Sequence, residues 1–85
     1  MKVIYTPMFL ILERFPEHAE TIKRLFSESE DFQTACEDFR QCRSALGYWN
    51  QSEKAGAPAR RLEYTTLLRE LEQEIEQRLM EAGEP

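Results

Sequence analysis

The feature that most constrains the fold is an apolar repeat in the middle of the chain. Apolar side chains recur there at alternating spacings of three and four residues, at Phe32, Ala35, Phe39, Cys42, Leu46 and Trp49. Side chains at these spacings lie along one stripe of an α-helix, and the alternation keeps that stripe facing a partner helix. The positions between them are mostly charged or polar, as on a helix surface in water. The sequence therefore predicts a long amphipathic helix over residues 30–51.

A second apolar stripe follows a polar turn. Residues 50–58 contain a Gly-Ala-Pro cluster, and Pro58 disfavours helical backbone at Ala57. Beyond this turn a further helix is predicted over residues 59–81, because apolar side chains again recur every three or four residues. They are Tyr64, Leu68, Leu71, Ile75 and Leu79, and the stripe is widened by Leu62 and Leu67. Two helices of nearly equal length joined by a short turn indicate an antiparallel helical hairpin.

A shorter helix is predicted ahead of the hairpin, over residues 16–26. Pro16 suits a first helical turn, where its missing N–H costs nothing. Ser27 and Ser29 are both candidate N-caps for the next helix, and Glu30 lies three residues after Ser27, the offset of a capping box. The predicted fold is all-α: a short N-terminal helix followed by an antiparallel helical hairpin, which is expected to assemble into a helical bundle.

An apolar extension, residues 1–14, precedes the predicted hairpin domain, residues 15–82. Its apolar stretch, residues 3–12, is too short to span a membrane, which takes about 20 residues. Three interpretations stay open at this point. The segment packs on the helical body or on a second subunit; or Met8 is the natural start and residues 1–7 are dispensable; or residues 3–12 attach the protein to a membrane surface.

Size and charge exclude several classes of function. A chain of 85 residues forms at most one small domain, and its 3 Gly and 4 Pro are too few for a many-stranded sandwich. The net charge of −5 opposes binding to a phosphate backbone or to an anionic membrane. Nucleic acid is therefore not an expected partner, and a membrane is a less favoured one than a protein.

The reactive side chains form no pattern typical of catalysis or metal binding. Cys36 and Cys42 lie six residues apart on one predicted helix, about 9 Å, which is too far for a disulfide. We expect both to be packing residues of a cytoplasmic protein. His18 is the only histidine and has no second ligand near it in sequence. Four alternating glutamates on the last helix are expected to lie in water: Glu70, Glu72, Glu74 and Glu76. The sequence predicts a non-enzymatic protein with no cofactor, no metal site and no catalytic residue.

The residues from Phe15 onward resemble a known family. Phe15-Pro16-Glu17 is followed at fixed offsets by further matching positions, namely Ile22, Arg24, Leu25, Glu28 and Phe32. A long heptad helix, a polar turn and a helix rich in Leu and Glu come next. Over residues 15–81 this order resembles the YdcH-like family of small bacterial proteins. The resemblance implies a bacterial, cytosolic helical hairpin that associates into a bundle, without enzymatic activity. The apolar extension and the acidic second helix depart from the family pattern.

The apolar stripes are broader than one antiparallel helix contact can cover, which predicts a partner. We expect a homodimer that completes a four-helix bundle, and hence a protein–protein interaction or oligomerisation module. The predicted interface residues are Phe32, Phe39, Leu46, Trp49, Tyr64, Leu68, Leu71 and Ile75.

A basic cluster near the turn has two interpretations. Lys54, Arg60 and Arg61 are either a docking point for an acidic partner, or ordinary first-turn residues whose placement Glu63 offsets.

Overall fold

The computed structural model describes residues 7–83, and within them it is helical, with no strand. Four α-helices follow one another, with a 3₁₀ turn at Pro16–His18 after the first. They are α1 (Pro7–Arg14), α2 (Ala19–Glu28), α3 (Glu30–Gln51) and α4 (Ala57–Gly83). The all-α prediction, with a helical hairpin as its main part, is confirmed.

The hairpin is formed by α3 and α4. The polar turn between them closes with the Ala57 N–H donating to the Lys54 carbonyl at 3.0 Å. Across the hairpin, the Cys42 thiol approaches the Tyr64 carbonyl at 3.4 Å, and the Arg61 guanidinium donates to the Trp49 carbonyl at 3.1 Å. From Cys42 to Trp49 along α3, the partner in α4 moves back from Tyr64 to Arg61, as antiparallel helices require.

The bounds of α3 agree with the predicted 30–51, whereas α4 begins two residues before the predicted 59. Pro58 is the second residue of α4, inside its first turn, where a missing N–H breaks no helical hydrogen bond. The helix predicted over 16–26 is divided: Pro16 opens the 3₁₀ turn, and α2 then continues to Glu28.

Helix α1 occupies part of the segment that sequence analysis treated as an extension. Pro7 is its first residue, and the Phe15 N–H donates to the Ile11 carbonyl at 2.9 Å just after its end. The side chains of Ile11 and Phe15 are buried together with residues of the other helices. Residues 7–14 thus pack on the helical body. Residues 1–6 lie outside the described part of the chain. The prediction that residues 1–7 are dispensable therefore lies outside it except for Pro7, and so does the first part of the apolar stretch, residues 3–6.

The core lies at the end of the hairpin away from its turn. We call residues 30–40 and 69–83 the base half of the hairpin, and residues 41–51 and 57–68 its loop half. Buried hydrophobic side chains of the hairpin lie mainly in the base half: Phe32, Ala35, Cys36, Phe39, Ile75 and Leu79. In the loop half only Cys42 and Ala57 are buried.

Helices α1 and α2 cause this difference because they cover the base half. Arg14, the last residue of α1, forms an ion pair with Glu72 of α4. Arg24 of α2 donates to the carbonyl of Ala82 at 2.8 Å, near the end of α4. Helix α1 reaches the loop half only at its border with the base half, where Leu10 lines a groove together with Arg43 and Leu68. Closer to the turn, within residues 7–83, the hairpin is only two helices wide.

Candidate interaction surface

The structure places the eight predicted interface residues in two groups. Phe32, Phe39 and Ile75 are buried, each at most 2% exposed, inside the core of a single chain. Helices α1 and α2 contribute to the same core, so these three side chains already have partners within the chain. The other five are half-buried: Leu46, Trp49, Tyr64, Leu68 and Leu71. Two of these, Leu68 and Leu71, also pack against the same core. Four of these five lie in the loop half, and Leu71 lies just beside it.

A groove of about 380 Å³ lies between α3 and α4. We call it the docking groove; its lining residues are Asp38, Gln41, Cys42, Ala45, Tyr64, Leu67 and Leu71. Five of these seven side chains are apolar or aromatic. The apolar repeat predicted Tyr64 and Leu71 as interface residues. It did not predict Ala45, and it predicted Leu67 only as a residue that widens the stripe.

The docking groove and α1 lie on different faces of the hairpin. Leu10 of α1 lines a separate groove together with Phe39, Arg43 and Leu68. Asp38 and Phe39 are neighbours in sequence, but successive side chains on a helix point about 100° apart, so each faces a different groove. Within residues 7–83, no residue of α1 or α2 lines the docking groove. This face of the hairpin is open.

Leu67 is 42% exposed at the edge of the docking groove, although it is a large apolar residue. Tyr48, on the stripe of α3 that carries Gln41 and Ala45, is 54% exposed. Leu62 is more exposed, at 70%, but it precedes Leu67 by five residues and is therefore turned about 140° away from it around α4. The exposed large apolar side chains of α4 are thus Leu67 at the groove, Leu62 on another face, and Met80, which is 57% exposed near the end of the helix.

The rims of the docking groove carry negative charge. Asp38 lines the groove from α3, and Glu70 lies on the stripe of α4 that also carries Leu67, three residues away. In the part of the chain that the structure describes, neither carboxylate belongs to an ion pair.

Two arginines of α4 pair with other carboxylates. Arg60 pairs with Glu63 at 3.0 Å, and Arg78 pairs with Glu74 at 3.0 Å. Neither arginine therefore neutralises Asp38 or Glu70.

The basic cluster near the turn makes contacts within the chain. Lys54 donates to the Tyr48 hydroxyl at 3.1 Å, and Arg61 donates to the Trp49 carbonyl. Arg60 pairs with Glu63 within α4, as expected for a first-turn residue whose placement Glu63 offsets. The contacts of Lys54 and Arg61 hold the turn and the start of α4 against the last part of α3.

The two thiols are free and buried, as predicted for packing residues. Burial raises the pKa of Cys36 to about 12, against the opposing effect of the Arg78 charge. Burial also raises the pKa of Cys42. A thiol with a raised pKa is a poor nucleophile near neutral pH, because the thiolate is the reactive form. Both residues serve packing, and neither has the environment of a reactive cysteine.

The remaining candidates for chemistry lie apart from one another. His18 faces Glu17 at 3.9 Å, and Glu72 and Glu74 are paired with arginines. Among residues 7–83 there is no group of three or more His, Cys, Asp or Glu side chains placed to hold a metal ion. Over the same residues, no helix combines the length and apolar character that crossing a bilayer requires.

Comparison with family models, with curated proteins and with solved structures found no match to this chain. The resemblance to the YdcH-like family stays a prediction.

Proposed function

We propose that this protein is a non-enzymatic protein–protein interaction module that uses the docking groove and the loop half around it. The observation that carries this proposal is the contrast between the two halves of the hairpin. Buried apolar side chains lie mainly in the base half, under α1 and α2, while the docking groove and the loop half around it present half-buried and exposed apolar side chains on an open face. Apolar surface of this kind is typical of a docking site for another helix.

The simplest partner is a second copy of the chain, and we propose a homodimer in the cytoplasm. Two hairpins facing each other through their docking grooves would form a four-helix bundle. Tyr64, Leu67 and Leu71 would then lie between the two hairpins. Trp49 and Leu46, half-buried at the end of α3, would extend the contact toward the turn.

A membrane-surface function draws less support from the same contacts. Attachment through residues 3–12 needs apolar side chains of that segment to face lipid. Ile11 is 0% exposed, and Met8 and Leu12 pack against the core. These three side chains are engaged in the fold.

The test is the mass of the native chain in solution, measured by light scattering behind a sizing column. A homodimer gives twice the chain mass of 10.1 kDa at micromolar concentration. Leu67→Glu places a charge at the groove edge and should raise the dimer dissociation constant about tenfold or more. Leu62→Glu is the matched control, because it makes the same change on the same helix but on another face.

Two results would contradict the proposal. One is a native chain that stays a 10.1 kDa monomer over the micromolar range. The other is an equal effect of both leucine substitutions on the dimer, which would show that the groove face has no special part in it.

A further inference from the structure

We propose that the docking groove binds a basic amphipathic helix of another protein. This inference rests on the part of the proposed function that makes the groove an interaction surface, and it goes beyond the homodimer by naming a partner that competes with the second copy for that surface. It combines three observations: the apolar floor of the groove, the unpaired carboxylates on its two rims, and the absence of α1 and α2 from its lining in the described part of the chain.

The floor of the groove suits the apolar face of a helix. Cys42 and Ala45 on one side and Leu71 on the other form a shallow trough between α3 and α4. Tyr64 and Leu67 provide larger apolar side chains along the α4 wall. A helix with apolar residues at spacings of three and four, laid between α3 and α4, would cover this trough.

The rims determine the charge of that helix. Asp38 lines the groove on the α3 side. Glu70 is not a lining residue; it is exposed on α4, three residues from Leu67, and this spacing places it beside the α4 wall. Neither carboxylate is paired with a cation within residues 7–83. Residues that flank the apolar stripe of a docked helix would approach both rims. Lys or Arg at those flanking positions would pair with the two carboxylates, whereas Asp or Glu would be repelled.

A second copy of the chain meets this charge pattern less well. In a two-fold dimer the same patch faces itself, so a patch that carries Asp38 and Glu70 meets a second copy of the same negatively charged patch. The chain as a whole also carries a net charge of −5. A basic helix gains from the carboxylates that oppose self-association, and it should compete with the dimer for the groove.

The experiment uses the full chain and two synthetic helical peptides of about 18 residues, long enough to cover roughly 27 Å. Both peptides carry leucines at spacings of three and four. The flanking positions are lysine in one and glutamate in the other. Calorimetric titration gives the dissociation constant of each peptide, and light scattering gives that of the dimer. We expect the lysine peptide to bind, with affinity falling as salt is added, and the glutamate peptide to bind at least about tenfold more weakly.

The double variant Asp38→Asn, Glu70→Gln tests the rims directly. It should weaken binding of the lysine peptide about three- to tenfold and strengthen the dimer, so the two constants move in opposite directions. The control is Glu20→Gln with Glu28→Gln, which removes the same charge from exposed positions on α2. It should change peptide binding less than twofold. Circular dichroism confirms that each variant is folded.

Equal binding of the two peptides, or equal effects of the two double variants, would overturn the basic-helix proposal. Either result leaves the dimer measurement and its Leu67→Glu test unaffected. A lysine peptide that binds a chain found to be monomeric would support the basic-helix proposal and count against the homodimer. The two proposals can therefore fail separately.

Discussion

Ser29 joins two helices at a single residue. Its backbone N–H donates to the Leu25 carbonyl at 2.8 Å at the end of α2, and its hydroxyl accepts from the Phe32 N–H at 3.1 Å at the start of α3. The sequence offered Ser27 and Ser29 as candidate caps. Ser29 takes this place because it alone lies outside both helices, with extended backbone. The three-residue spacing from Ser27 to Glu30, typical of a capping box, favoured Ser27 instead.

We predict that Ser29→Ala lowers the free energy of unfolding by about 1 kcal/mol, because the Phe32 N–H loses its cap. Ser27→Ala is the matched control: the Ser27 hydroxyl donates only to the Arg24 carbonyl within α2. Urea unfolding of the two variants measures the difference. If Ser27→Ala cost as much as Ser29→Ala, the assignment of the cap would be wrong.

Cys36 makes the stability of the fold depend on pH at the alkaline end. The buried thiol is held neutral, with its pKa raised by burial from 9.0 to about 12. In the unfolded chain the thiol ionises near pH 9, so its contribution to stability is complete below that pH. The contribution is then lost as the pH rises toward 12.

We predict that raising the pH from 7.5 to 10 lowers the free energy of unfolding by about 1.4 kcal/mol through this thiol alone. Cys36→Ala should lose that part of the pH dependence, whatever it does to stability at pH 7.5. Denaturant unfolding at the two pH values, with and without the substitution, checks it. An identical pH dependence in both proteins would contradict the role given to Cys36.

At the scale of elements, the spacing of apolar residues was enough to predict the two helices of the hairpin but not enough to predict α1. In α3 a strict repeat bounded by a capping serine predicted both ends. Around α1 the run from Met8 to Leu12 is apolar at every position, so it has no polar face for a period to reveal. Pro7, directly ahead of this run, is the first residue of the helix. The relation of Ile11 to Phe15, four residues apart, was the signal that could have revealed it.

We predict that α1 is needed for the stability of the base half. Ile11 is fully buried, so Ile11→Ala should cost about 2–5 kcal/mol of unfolding free energy through lost burial and the cavity that remains. Glu13→Ala, at an exposed side chain on the same helix, should cost less than about 1 kcal/mol. Equal costs in urea unfolding would mean that α1 does not pack as described.

At the scale of the whole molecule, the chain is flat, with principal extents of 49 × 34 × 21 Å. The shortest extent is about two helix diameters. The repeats predicted the apolar stripes, but the surface that one hairpin cannot cover, with Phe32, Phe39 and Ile75 in it, was expected to face a partner. The repeats could not show that α1 and α2 cover one end, because that depends on how the helices cross. Phe32, Phe39 and Ile75 therefore belong to the fold, while Tyr64 and Leu71 line the groove left open.

The central claim is that the base half forms the core of the single chain together with α1 and α2, whereas the docking groove and the loop half around it form the contact with a second copy. Amide hydrogen exchange tests it most directly, comparing the chain diluted below its dimer dissociation constant with the chain well above it. We predict that association adds protection in residues 38–51 and 57–71 and leaves the start of α3, residues 30–36, unchanged. Added protection centred on residues 30–36, or a pattern that does not depend on concentration at all, would contradict this account.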